Sequence, residues 1–155
     1  MQKAEGNSGR LAGIDYGTVR IGIAITDPGQ RIASPLSIYK RQDEAADAGF
    51  FRHLVAQQQI VGFVVGLPVH LDGRESPKSL EARQFGQWLQ KTTGVSVVFF
   101  DERFTTAEAE QLLSGAELTK KQRKERLDKL AAQILLTAFL ETRKPLGEQL
   151  LGLDE

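Results

Sequence analysis

Leu11-Ala12-Gly13-Ile14-Asp15-Tyr16-Gly17-Thr18-Val19-Arg20-Ile21-Gly22-Ile23-Ala24-Ile25-Thr26 is the stretch on which the fold turns. It holds two strand signals in succession. Leu11 to Tyr16 is a short apolar run that closes on Asp15. In Arg20 to Thr26, the residues Ile21, Ile23 and Ile25 recur at the two-residue period of a pleated strand. Asp27-Pro28-Gly29 then supplies a turn, since Pro fixes φ and Gly tolerates positive φ. Ile32 to Tyr39 reads as a third strand, so the chain opens with a three-stranded meander.

Beyond Tyr39 the period changes. Ala46, Phe50, Leu54 and Val55 recur at helical spacing within Asp43 to Gln59, and Ile60 to Gly66 follows as a short buried strand. The pattern repeats as a helix over Ser79 to Thr93, a strand over Val95 to Phe100, and a helix starting near Thr105, where Glu108 completes the spacing of a capping box. A last helix, roughly Thr119 to Thr142, stops before Pro145 and Gly147. Alternating helices and strands imply a parallel portion of sheet. Added to the meander, they predict an α/β fold with a central mixed five-stranded sheet flanked by helices. The expected organisation is one domain over residues 11–144, with loosely held tails at 1–10 and 145–155.

Composition narrows the function. A chain of 155 residues suits one domain, and 41% hydrophobic with 26% charged residues is ordinary globular composition. Cysteine is absent, which removes disulfides, thiolate metal sites and thiol nucleophiles. The N-terminus is polar, and no apolar run approaches the roughly 18 residues of a membrane span; a cytoplasmic protein without a membrane partner is expected. The formal net charge of +0 argues against indiscriminate polyanion binding. Any nucleic-acid contact must then be local, and Lys120-Lys121-Gln122-Arg123-Lys124 at the start of the last helix is one basic run placed to make it.

Three carboxylates stand out by position. Asp15 ends the first strand, although Asp beside Gly is also common turn chemistry. Glu102 follows the last strand at its carboxyl end, where open α/β sheets place their ligands, although an acid there also suits the start of a helix. Asp128 lies on the edge of the stripe formed by Leu127, Ala131, Ile134, Leu135, Ala138 and Phe139, and so looks toward the protein rather than only toward a neighbouring Lys or Arg. Gathered together, three carboxylates repel unless a cation compensates. Oxygen-only ligands suit hard ions such as Mg²⁺. Two such ions about 3.5 to 4 Å apart can activate water and stabilise the leaving oxygen of a phosphodiester.

These residues sit within a larger resemblance. Asp15-Tyr16-Gly17-Thr18-Val19-Arg20-Ile21-Gly22, Val65-Gly66-Leu67-Pro68 with Asp72-Gly73, Asp101-Glu102-Arg103, and Leu127-Asp128-Lys129-Leu130-Ala131-Ala132 occur in the order seen in the YqgF family, also called RuvX. The chain resembles these RNase H-like proteins from about Leu11 to about Thr142. The resemblance implies an RNase H-like fold and a nuclease that cleaves structured nucleic acid. Its expected substrate is the 5′ end of pre-16S rRNA, with the Holliday junction of DNA recombination as the alternative. It further implies Asp15, Glu102 and Asp128 as catalytic carboxylates holding Mg²⁺ or Mn²⁺.

Arg20 and Arg103 match family positions, and a guanidinium suits either a phosphate or a carboxylate. Together with Lys120, Lys121, Arg123 and Lys124 they form the expected nucleic-acid-binding set; the plain alternative for the run is a solvated helix face. His70 stands where the family pattern leads one to expect Asn, and is read as a surface residue. Trp88 and the other aromatics show no stacking platform in the sequence. Two other classes remain open. Asp15-Tyr16-Gly17-Thr18 also resembles the phosphate-binding turn of actin-like ATPases and sugar kinases, which need a second lobe. A non-catalytic nucleic-acid-binding module would keep the fold without turnover. A monomer or weak homodimer is expected.

Overall fold

The computed structural model describes residues 9–70, 72–105 and 119–143. Five strands, three helices and one 3₁₀ turn lie within them: β1 (Arg10–Asp15), β2 (Arg20–Thr26), β3 (Ala33–Lys40), α1 (Glu44–Gln58), β4 (Ile60–Leu67), α2 (Pro77–Thr93), β5 (Val97–Asp101), the 3₁₀ turn Glu102–Phe104, and α3 (Lys120–Thr142). The sheet runs β3-β2-β1-β4-β5. β1, β2 and β3 pair antiparallel, whereas β4 pairs parallel with both β1 and β5. The expected mixed five-stranded sheet is therefore present. The tails expected at 1–10 and 145–155 fall largely outside the described residues, as does Glu108, the second member of the expected box at Thr105.

Pleating sorts the strand residues onto two faces. Ala12, Ile14, Ile21, Ile23, Phe63 and Val65 pack with Phe51 and Leu54 of α1 and Ala82, Phe85 and Leu89 of α2. Leu11, Ala24, Val64 and Phe100 face the other way, toward Ala132, Leu135, Leu136 and Ala138 of α3. One face thus carries two helices and the other carries α3. Each side chain fully buried in these layers contributes about 1.5–3 kcal/mol.

The helix ends follow local chemistry. Asp43 caps α1 through its carboxylate and the Ala46 N–H, and Gln59 ends it in a left-handed conformation. Helix α2 begins earlier than the expected Ser79. Ser76 is its N-cap, with a reciprocal Ser76–Ser79 capping box and Pro77 in the first turn. Thr119 and Gln122 form the same device at the start of α3. The Asp27 turn also departs from expectation. The positive φ falls on Gln30, at 59°, and not on Gly29. The Asp27 carboxylate accepts from the Arg31 and Ile32 N–H groups, each at 2.8 Å, and closes the loop.

Candidate active site

Strand pleating aims the residues at the carboxyl ends of β1 and β4. Leu11 of β1 faces α3, so Gly13 and Asp15, at steps of two, face it as well. Val64 of β4 faces α3, and Gly66 follows by two. Glu102 opens the 3₁₀ turn directly after β5. Because β4 lies between β1 and β5, one strand separates Asp15 from Glu102. At this level that strand presents Gly66, paired with Phe100. A Cβ on Gly66 would stand 2.4 Å from Glu102 Oε2 and 3.1 Å from its Cγ. The bare backbone of Gly66 is the floor on which the Glu102 carboxylate lies.

A second close approach brings α3 to the site. A Cβ on Gly13 would stand 2.9 Å from Leu136 Cβ and 3.0 Å from the Ala132 carbonyl oxygen, so glycine lets the helix run against β1. The buried stripe of α3 is Ala132, Ile134, Leu135, Leu136 and Ala138. Ile134, Leu135 and Ala138 are buried as expected and Ala131 and Phe139 half-buried, whereas Leu127 is 43% exposed and Ala132 and Leu136 join the buried face. Asp128 precedes Ala132 by four and Leu136 by eight, which places it in line with the buried face and not on its edge. It sits where the helix passes the sheet end, exposed, and its charge reaches Asp15.

Electrostatics tie the group together. Burial and then the charge of Asp128 push the Asp15 carboxyl above its ordinary value. Burial, followed by the charges of Asp15 and Asp101, pushes Glu102 up to about 7. The ammonium of Lys78 opposes both shifts. A cavity of about 390 Å³ opens here, lined by Asp15, Glu102, Gly66, Arg20, Lys78 and Glu81 among others. A smaller hollow of about 150 Å³ joins Asp15 and Glu102 to Leu127, Ala131 and Leu135.

The donor set suits a hard divalent cation. Two crowded carboxylates at a glycine floor keep a raised proton affinity despite Lys78, and a cation would relieve both. Among the described residues no three Asp, Glu, His or Cys side chains stand together closely enough to cage an ion. Mg²⁺ commonly takes only one or two carboxylates and completes its shell with water and phosphate oxygens, so an open pair at the edge of a cavity fits it.

The remaining residues named from sequence distribute as follows. Arg20 is exposed and lines the cavity with Asp15. Arg103 takes the carboxylate option: its Nε donates to Asp101 Oδ2 at 2.9 Å, and its guanidinium lies 5.7 Å from the Phe104 ring centre. Lys120, Lys121, Arg123 and Lys124 are exposed on the first turns of α3. His70 is exposed, and its backbone closes a turn with Gly73 and Arg74. Lys78 and Glu81 escaped the sequence reading. Their signal was the Ser76-Pro77 helix start, which puts both on the first turns of α2, facing the strand ends.

The comparisons with known proteins agree with this geometry. A relative from Rhodopirellula baltica, named "Putative pre-16S rRNA nuclease", is 48% identical over 91% of this chain and 82% of its own length. One from Rhodobacter capsulatus with the same name is 40% identical over 90% of this chain and 87% of its own. Among solved structures, T. thermophilus RuvC in complex with a Holliday junction substrate superposes with a TM-score of 0.56 at 13% identity, over 87% of this chain and 95% of that one, and so shares the fold. The family model described as RuvX, Holliday junction resolvase, matches residues 9–142. That span takes in β1, Gly66, Glu102 and α3 together, and the chain belongs to the RuvX family.

Proposed function

We propose that this protein is a divalent-metal-dependent endonuclease that cleaves phosphodiester bonds in structured nucleic acid and processes the 5′ end of pre-16S rRNA. The observation that carries the reading is the pairing of Asp15 with Glu102 across Gly66, with Glu102 pushed up to about 7 by burial and then by the charges of Asp15 and Asp101. Asp15, Glu102 and Asp128 are the residues that would hold Mg²⁺ or Mn²⁺. Bound there, the cation would supply a Lewis acid that makes water a nucleophile at neutral pH and offsets charge developing on the phosphate. The chain's own part is positional. Gly66 and Gly13 let Glu102 and α3 close on Asp15. Arg20 and Lys78 set positive charge beside the carboxylates, where a phosphate must approach an acidic site. Lys120, Lys121, Arg123 and Lys124 lie on the same helix as Asp128 and suit backbone contacts that position a strand without reading bases.

Ribosomal RNA is placed first because relatives covering nine-tenths of this chain carry that name. The description of the family model favours a second reading, a four-way DNA junction. Symmetric cutting of a junction would call for a dimer. Work on ribosomal RNA would place the protein in the cytoplasm; no helix among the described residues is long and apolar enough to cross a membrane. The test is a cleavage panel with Mg²⁺ or Mn²⁺ on an RNA spanning the 5′ end of 16S, a four-way DNA junction, and plain single strands. Metal-dependent cutting of the RNA, lost in Asp15→Asn, supports the reading. Cutting of the junction alone moves the protein to the second, and binding without cutting any substrate would make it a non-catalytic module.

A further inference from the structure

A second cleft, of about 260 Å³, opens on the α1–α2 side of the sheet. Tyr16 and Glu81 line both this cleft and the carboxylate cavity, so the two are neighbours. Its wall is made by the half-buried rings of Tyr16 and Trp88, with the buried ring of Phe85 packed between them. The Tyr16 and Phe85 ring centres are 5.1 Å apart, and those of Phe85 and Trp88 are 5.4 Å apart, each pair tilted by less than 40°. The Arg41 guanidinium lies 5.4 Å from the Tyr16 ring centre and 5.5 Å from that of Phe85. Tyr16, Arg41 and the Phe85–Trp88 turn of α2 are far apart in sequence, which is why no stacking surface is legible there.

The charges of this cleft select its occupant. Among the described residues Arg41 is the only cation lining it, and that charge is committed: Nε donates to the buried Asp47 at 3.3 Å, and Nη1 donates to the Tyr16 hydroxyl at 3.1 Å. Glu44 and Glu81 complete an acidic rim. A phosphate would be repelled. A flat heterocycle carrying N–H donors would be accepted, because aromatic faces and a guanidinium plane stack it and carboxylates receive its donors. The Trp88 indole N–H reaches the Glu44 carboxylate only at 3.4 Å, a long bond that a ligand can replace.

We propose that the cleft lined by Tyr16, Arg41, Glu44, Phe85 and Trp88 binds one unstacked base of a single-stranded segment whose backbone passes the Asp15–Glu102 cavity. The assignment rests on the nuclease reading. It adds that the substrate must offer an unpaired nucleotide beside the scissile bond, with the base turned to the α1–α2 face and the phosphate turned to the carboxylates. Tyr16 immediately follows Asp15, just past the end of β1, and packs against the core on the α1–α2 side while Asp15 faces α3, so one step of chain separates the two roles.

Trp88 is the only tryptophan in the chain, so its emission reports on this cleft alone. The experiment titrates the full-length Asp15→Asn protein with a single-stranded RNA of mixed sequence, following Trp88 emission and the anisotropy of labelled RNA together. A set of oligonucleotides, each with one abasic position, follows. Emission should change at the concentration where anisotropy rises, and removing the base at one position should abolish the change. Trp88→Ala should weaken binding about tenfold, within the range for losing one base–aromatic stack. It should cost nothing further on the oligonucleotide abasic at that position, and Trp88→Phe should restore most of the loss. Anisotropy that rises while emission stays flat for every oligonucleotide overturns the subsite and leaves the nuclease reading intact. No anisotropy change with any nucleic acid removes both.

Discussion

Replacing Gly66 by Ala separates stability from activity. The added Cβ would stand 2.4 Å from Glu102 Oε2, against an ordinary contact of at least 3.4 Å, so the carboxylate must retreat by on the order of 1 Å. Misplacing a reacting group by about that distance costs roughly 100-fold in rate. The fold should not suffer. Gly66 is not among the residues with positive φ, so alanine adopts its backbone freely. The obstructing atoms belong to the far end of a side chain beside an open cavity, which leaves them room to swing. Glycine within a strand also costs about 0.5–1 kcal/mol relative to alanine. A gain of that size would raise the melting temperature by about 1–3 °C in a domain of this length. Single-turnover cleavage at saturating Mn²⁺, with scanning calorimetry on the same samples, reads both quantities. A rate within threefold of the parent would refute the role given to the Glu102 position, and a melting temperature several degrees lower would refute the account of the clash.

Three further outcomes follow from the same geometry. Glu102 in the metal-free protein is pushed up to about 7, above its ordinary carboxyl value, so the stability it contributes is fully present below pH about 4.5 and lost as pH rises through about 7; melting curves across this window should fall, less steeply in Glu102→Gln, and an identical slope in the variant would contradict the shift. Replacing Lys120, Lys121, Arg123 and Lys124 by Ala should weaken nucleic-acid binding and reduce the log–log salt slope by close to one unit per lost phosphate contact on duplex DNA; an unchanged slope makes the run a solvated face. Asp128→Asn relieves repulsion on Asp15, so the metal-free variant should melt no lower than the parent, while the rise in melting temperature on adding Mg²⁺ or Mn²⁺ should shrink along with cleavage; survival of both responses would withdraw Asp128 from the site.

Much of the fold is legible because period fixes face. Ile21, Ile23 and Ile25 alternate strictly, and Ala46, Phe50 and Leu54 stand at helical spacing, so β2 and α1 emerge close to their true bounds. Errors fall where local chemistry competes with apolar pattern. The start of α2 is set by a serine capping box and by Pro77, five residues before Ala82, its first deeply buried apolar residue, and an apolar count passes over both. Val95 and Ser96 look like strand, but Gly94 ends α2 in a left-handed turn, and pairing with β4 holds only from Val97. Gln30 adopts the left-handed conformation expected of Gly29 because side-chain contacts with Gly9 and Arg143, both distant in sequence, hold it there.

The candidate site is legible to the extent that its residues inherit direction from regular structure. Asp15 inherits its direction from Leu11 and Gly13 by pleating, and Asp128 from Ala132 and Leu136 by helical phase. Lys78 and Glu81 lie on an exposed helix turn whose direction depends on how α2 crosses the strand ends, and no local spacing encodes that angle. Arg103 shows the converse. Its position beside Glu102 suggested a phosphate contact, yet Asp101 stands two residues away on a chain that turns sharply, and a bidentate guanidinium–carboxylate pair is stronger than an exposed monodentate contact. In this protein the pair, with the Arg103 N–H donating to Asp101 Oδ1 at 2.9 Å, closes the 3₁₀ turn that opens with Glu102; we propose that Arg103 serves the carboxylate site by holding that turn.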